Sequence, residues 1–115
     1  MENERHFKLT EERLAHDGAI LRRIQAVKDL PYHKVRKGDL GGWVECYENL
    51  QDDAWIFGNV KVYQKAVVSG HAFLTDYACV YGNAVVSGNT QLYGRTYIYK
   101  SATISVDILT GGQYC

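Results

Sequence analysis

A six-residue period runs through the second half of the chain and constrains its fold more than any other feature. From Ala54 to Asp107 the residues fall into nine hexads without an insertion. The first position of each hexad is Ala, Val or Thr, and the third is always Ile, Leu or Val. A helix of about 3.6 residues per turn drifts out of phase with this period, whereas a strand places positions one and three on one side. The pattern therefore predicts short strands that each bury one small and one aliphatic side chain.

A second period of 18 residues groups the hexads in threes. Tyr recurs at the fourth position of every third hexad, and so does Ser; these residues are Tyr63, Tyr81, Tyr99, Ser69, Ser87 and Ser105. Gly-Asn often fills positions five and six, and both residues tolerate positive φ at a corner. Three hexads then make one coil, and stacked coils bury a continuous core. The sequence predicts an all-β fold, a parallel β-helix of about three to four triangular coils.

The same register extends upstream of the regular hexads. Val44 and Leu50 stand 18 residues before Val62 and Val68, in the third position. Glu48 breaks the first-position rule, so we expect this early coil to be an imperfect cap. We therefore assign residues 38–115 to the β-helix, with regular hexads over 54–107, and residues 1–37 to an N-terminal cap.

The N-terminal segment has two interpretations. Asp17-Gly18 is a strong hairpin turn signal between two strand-like stretches, and this turn chemistry favours a β-hairpin. The alternative is a helix over 19–30, because Leu21, Ile24 and Val27 fall close to helical spacing. A cap is needed in either case, since the open end of a β-helix exposes unpaired strand groups and an apolar cross-section.

Charge and cysteine content limit the function classes. The chain of 115 residues carries 13 basic and 13 acidic side chains, which argues against a nucleic-acid partner and against a membrane-surface protein. Residues 1–53 hold 20 of these 26 charges, so the repeat is nearly uncharged. The charged N-terminus predicts no secretory signal. Three cysteines without a CxxC pair, Cys46, Cys79 and Cys115, favour a reducing, cytoplasmic setting and no zinc site.

The hexad pattern resembles the left-handed parallel β-helix, and this resemblance implies the left hand of the coil. A second resemblance rests on the stretch GDLGGWVE at 38–45, on Asn49-Leu50 and on AWIFGN at 54–59. These stretches are similar to small phage- and prophage-encoded β-helix proteins of the hexapeptide-repeat, or "polymer-forming", type. The resemblance implies a phage or prophage source, and therefore a bacterial host cell, more than it implies an activity.

The 18-residue phase predicts three outward faces. We expect an exposed aromatic strip on the first, as a surface for binding a partner or a second copy; it comprises Trp55, Phe57, Phe73 and Tyr93. The alternative is that the N-terminal segment covers this strip. The second face carries Tyr63, Tyr81 and Tyr99 as a structural ladder. The third is flat, small and nearly uncharged and is the expected dimer or trimer interface; it comprises Val67, Ser69, Val85, Ser87, Thr103 and Ser105.

The sequence contains no recognisable catalytic constellation. Many proteins of the left-handed β-helix type are acyltransferases with a catalytic His, and His71 is the single His of the repeat. Those enzymes usually have more coils and an extruded loop, so we expect His71 to be an ordinary corner residue. His6, His16 and His33 lack metal-ligand spacing, and we expect neither metal nor cofactor.

The function predicted from these features is a non-enzymatic protein-interaction module. It would self-associate and bind or occlude a host protein, for example as an inhibitor of bacterial defence such as an anti-CRISPR. Two alternatives remain open, a hexapeptide-repeat acyltransferase and a structural or self-polymerising scaffold protein of a phage.

Overall fold

The protein is a parallel β-solenoid of about four turns, in which equivalent residues of successive coils stand about 18 positions apart. The computed structural model describes residues 6–30, 33–105, 108–109 and 111–114. Among them Lys61 aligns with Cys79, and Cys79 aligns with Tyr97, in parallel register. The predicted all-β fold and the 18-residue coil are therefore confirmed, and the left hand stays an expectation from the resemblance.

Three sheets form the sides of the solenoid, and the N-terminal strands extend one of them. The strands are β1 (Phe7–His16), β2 (Ala19–Ala26), β3 (Leu40–Val44), β4 (Trp55–Ile56), β5 (Lys61–Val62), β6 (Val67–Val68), β7 (Phe73–Leu74), β8 (Cys79–Val80), β9 (Val85–Val86), β10 (Gln91–Leu92), β11 (Thr96–Ile98), β12 (Thr103–Ile104), β13 (Ile108–Leu109) and β14 (Gly112–Tyr114). The sheet orders are β1-β2-β3-β5-β8-β11-β14, β4-β7-β10-β13 and β6-β9-β12.

Most repeat strands contain two residues in regular geometry, which is shorter than the four-residue unit the hexad suggests. The hydrogen bonding nevertheless covers the whole side of the coil. The Trp55 amide donates to the Ala72 carbonyl, and the Phe57 amide donates to the Leu74 carbonyl. Each coil is thus bonded to the next on both sides of its inward aliphatic residue, and this regular bonding stabilises such short strands.

Within the repeat, the first and third positions of the hexads form most of the core. From Ala54 to Ile98 these side chains are fully buried, including two threonines. Thr90 and Thr96 stay compatible with an apolar core because their hydroxyls donate to the Ser87 and Tyr93 carbonyls, at 2.7 and 2.9 Å. Val106 and Asp107, which end the ninth hexad, lie outside the described residues.

The corners bend at the fifth hexad position, where the backbone takes positive φ. Gly fills many of these positions, but Gln64, Asp76 and Lys100 also have φ between 57° and 63°. Several corner side chains bridge coils, since the Asp76 carboxylate accepts from the Gly94 amide at 2.8 Å and Gln64 accepts similarly from Gly82. The side-chain acceptor of one coil therefore holds the corner glycine of the next.

The N-terminal segment is the predicted hairpin, and the alternative helix over 19–30 is wrong. Asp17 and Gly18 have φ of 51° and 81°, which places two left-handed residues in the connecting turn. Strand β2 pairs antiparallel with both β1 and β3, so the hairpin closes one end of the solenoid. Phe7 and Ile24 join the same buried core cluster as the repeat residues.

The early coil is imperfect in the predicted way. Val44 aligns with Val62, and Leu50 forms a bridge with Val68. Between them Tyr47–Asn49 form a short 3₁₀ helix that leaves Glu48 exposed. The buried Asn49 side chain replaces the missing strand bonds, because its amide donates to the Ala66 carbonyl and its oxygen accepts from the Cys46 amide.

Candidate functional site

The strip predicted at Trp55, Phe57, Phe73 and Tyr93 divides into one buried and three half-buried residues. Trp55 is fully buried, so its expected exposure is wrong and the covering alternative holds at this position. The three other rings are half-buried and form a continuous row. Phe73 contacts Phe57 and Tyr93 edge to face, with ring centroids 5.9 and 6.0 Å apart. We call Phe57, Phe73 and Tyr93 the aromatic row.

The N-terminal segment buries Trp55 through contacts that are distant in sequence. The His6 ring lies against the Trp55 ring, with centroids 6.1 Å apart, and its Nε2 bonds to the Ala54 carbonyl at 2.7 Å. Gly41 in β3 leaves room for the indole, because a Cβ there would lie 2.8 Å from a Trp55 ring carbon. The N-terminal segment therefore covers Trp55, and the aromatic row begins at Phe57 of the same hexad.

The tyrosine ladder forms as predicted. The Tyr63 and Tyr81 rings are stacked with centroids 5.2 Å apart, and the Tyr81 and Tyr99 rings follow at 5.4 Å. The Tyr63 hydroxyl donates to the Asp17 carboxylate at 2.8 Å, which ties the ladder to the hairpin turn. Burial and this hydrogen bond raise the pKa of Tyr63 above its usual range. The contact with Asp17 could not be read from the repeat.

The flat face lies on the sheet β6-β9-β12. Val67 aligns with Val85, and Val85 aligns with Thr103, in adjacent strands. Val67, Ser69, Val85 and Ser87 are half-buried, whereas Thr103 and Ser105 are exposed. The six residues that we call the flat face are therefore brought together as predicted, and none of them carries a charge. Whether this surface binds another copy stays a prediction.

Two buried histidines fasten the N-terminal segment to the first coil. The His6 ring donates through Nε2 to Ala54, and the His33 ring bonds through Nε2 to the Asp53 carbonyl at 2.8 Å. A carbonyl oxygen only accepts, so Nε2 carries the hydrogen in both rings. Burial lowers the pKa of both histidines below 6.5, because it disfavours their charged forms. Burial at the attachment of the cap therefore favours the neutral form of both imidazoles.

This preference for neutral histidines predicts that acid weakens the fold. Well above pH 6.5 both histidines are neutral in the folded and the unfolded chain, so their packing contributes fully. Below pH 6.5 the histidines of the unfolded chain take up protons, whereas the buried histidines of the folded chain resist protonation. Each histidine therefore lowers the free energy of unfolding by up to about 1.4 kcal/mol for each pH unit. Urea unfolding at a series of pH values measures this slope.

His6→Gln provides the matched variant for that measurement. A glutamine amide can donate to the Ala54 carbonyl but does not titrate. We expect the dependence of the unfolding free energy on pH to become shallower by the contribution of one histidine. An unchanged slope would show that His6 does not resist protonation in the folded state.

His71 lies at a corner beside an acidic residue of the preceding coil. Its Nδ1 is 3.5 Å from the Asp53 carboxylate, and both side chains are half exposed. A carboxylate in this position can orient an imidazole that acts as a base, and this pair is what supports the acyltransferase alternative. A contact between two half-exposed side chains at a corner contributes little to stability.

The residues that the structure describes hold no group of three or more His, Cys, Asp or Glu side chains that could bind a metal ion. No helix among them has the length and apolar character to span a membrane. Comparison of the chain with protein-family models and with curated proteins gives no match.

Proposed function

We propose that the chain is a non-enzymatic interaction module that associates with copies of itself and binds or occludes a host protein. The flat face carries the first half of this proposal. It presents Val67, Val85 and Thr103 in adjacent strands, with serines beside them and no charge. Two copies related by a twofold axis can pack such surfaces together without burying an unpaired charge.

The aromatic row supports the second half of the proposal. Its three rings remain half-buried after the N-terminal segment has covered Trp55. Partly exposed Phe and Tyr side chains supply large contact areas at small entropic cost, and such residues are enriched where proteins bind one another. The resemblance to phage-encoded β-helix proteins favours a bacterial protein as the partner, in the host cytoplasm. Inhibition of a defence complex, as by an anti-CRISPR, is one form of this function.

Self-association is tested by Val85→Lys. The wild-type chain should show a mass above that of a 13.0 kDa monomer in light scattering over a concentration series. Val85 is in the middle strand of the flat face, so the variant should shift to the monomer because it buries an unpaired charge at the centre of the contact. Gln91→Lys places the same charge at the equivalent hexad position on another side and should leave the mass unchanged. A wild-type chain that stays monomeric at the highest concentration would refute self-association.

A further inference from the structure

The hairpin turn lies over the first ring of the tyrosine ladder and forms one wall of an open cavity that the repeat alone would not produce. The His16 ring meets the Tyr63 ring edge to face at 5.2 Å, and Asp17 accepts the hydrogen bond from Tyr63. Beneath the turn, this cavity has a volume of about 220 Å³. It is lined by His16, Asp17, Tyr63, Cys79, Tyr81 and Tyr97.

The cavity exists because one outward column has a short side chain in its middle. Lys61, Cys79 and Tyr97 align in successive coils, and the thiol of Cys79 fills less space than either neighbour. Lys61 turns away toward the preceding corner, where its ammonium donates to the Asn59 carbonyl at 3.3 Å. A gap therefore remains above Tyr97 and beside the ladder.

Several polar groups around this gap are available to a ligand. Within the described residues, the hydroxyls of Tyr81 and Tyr97 have no hydrogen-bond partner, and the ring of Tyr97 has no stacking partner. The Asp17 side chain is 62% exposed. Its Oδ2 accepts from Tyr63 and lies 3.7 Å from Nε2 of His16, whereas its Oδ1 has no hydrogen-bond partner among the described residues. Burial raises the pKa of the Cys79 thiol, so this wall of the cavity is neutral. The cavity thus combines a carboxylate, two phenol oxygens and an aromatic surface.

We infer that this cavity binds the guanidinium group of an arginine side chain presented by a partner protein. A guanidinium is planar, weakly hydrated and able to stack on an aromatic ring while its N–H groups donate to oxygen acceptors. Asp17 supplies the opposite charge, and Tyr81 and Tyr97 supply acceptors and a stacking surface. The origin of the arginine in a partner rests on the proposed function.

Other ligand classes match the cavity less well. An anion would face the Asp17 carboxylate, and an aliphatic side chain would leave the carboxylate and two hydroxyls unpaired. An ammonium group has the right charge, but it is more strongly hydrated and lacks a flat face to stack on Tyr97. A guanidinium can pair with the Asp17 carboxylate, donate to the Tyr81 and Tyr97 oxygens and stack on the Tyr97 ring.

The test titrates the full-length chain with N-acetyl-arginine methylamide and follows the ring signals of Tyr81 and Tyr97 by NMR. We expect saturable binding in the millimolar range, and no saturation with the citrulline counterpart, which has the same shape without the charge. Asp17→Asn keeps the turn, because Asn also tolerates positive φ, and it keeps an acceptor for Tyr63. This variant should bind the arginine probe about tenfold more weakly.

Cys79→Leu is a second, independent test, because the larger side chain fills the gap. It should abolish binding of the probe while the tyrosine ladder stays stacked. Equal binding of the citrulline probe, or unchanged affinity in Asp17→Asn, would overturn the assignment, and so would the absence of any binding by the wild type. The assay contains no partner protein, so its failure refutes the cavity assignment alone. The failure of wild-type self-association would instead count against the proposed function.

Discussion

Gly42→Ala is expected to lower the free energy of unfolding by about 3 kcal/mol or more, which is among the largest effects of any single methyl group in this fold. A Cβ on Gly42 would lie 2.6 Å from the Val60 carbonyl oxygen and 3.0 Å from the Ile56 side chain. The same Val60 oxygen accepts the backbone hydrogen bond from Trp43 at 2.9 Å. The methyl group can therefore be accommodated only by moving β3 away from the first coil, which breaks that bond. Urea unfolding followed by circular dichroism measures the loss.

Gly58→Asn is the matched control for this experiment. A Cβ on Gly58 would have nothing within 4 Å, although the residue has a φ of 51°. Asp76 occupies the equivalent corner one coil later with a φ of 63°, so this corner accommodates a side chain. Asn tolerates this backbone region, and the change in stability should stay within about 1 kcal/mol. Equal losses in the two variants would mean that any side chain on a glycine destabilises the solenoid and that close packing at Gly42 is not the cause.

The repeat was predictable because each hexad encodes its own geometry. An aliphatic third position must point inward and a Gly or Asn at position five can turn the corner, so Val62, Val80 and Ile98 could be placed in one column from the sequence alone. The stacked rings of Tyr63, Tyr81 and Tyr99 follow from the same register. The non-glycine corners at Gln64 and Lys100 show that position in the coil determines the backbone more strongly than residue type does.

The surface was harder to predict because it depends on contacts between the hairpin and the repeat. Asp17 bonds to Tyr63 across 46 positions of sequence, and His6 bonds to Ala54 across 48. A period describes how a residue relates to its neighbours in the adjacent coils, but it contains nothing about a segment outside the repeat. The sequence therefore predicted the tyrosine ladder correctly but assigned Trp55 to the surface, and it did not reveal the cavity at Cys79.

Trp55→Ala is expected to destabilise the protein by about 3–5 kcal/mol, the cost typical of removing a fully buried tryptophan. The side chain lies in the core cluster, between the N-terminal segment and the first coil. Its loss should leave a cavity at the contact that holds the cap. Differential scanning calorimetry or urea unfolding measures the loss, with Phe73→Ala in parallel. Phe73 is only half-buried in the aromatic row, so its truncation should cost less than half as much.

Trp55→Phe separates the packing of the aromatic ring from the cost of the unsatisfied indole N–H. Within the described residues, the buried Trp55 Nε1 has no acceptor, so phenylalanine removes an unsatisfied donor while it keeps an aromatic ring. The removal of the unsatisfied donor offsets part of the stability that is lost with the smaller ring. The free energy of unfolding of the variant should therefore fall by less than about 2 kcal/mol. If Trp55→Ala proved as stable as Phe73→Ala, Trp55 would belong to the surface as its hexad position suggests. If Trp55→Ala is the less stable variant, as expected, a loss of partner binding in it could result from unfolding of the cap. Phe73→Ala is then the variant that tests partner binding.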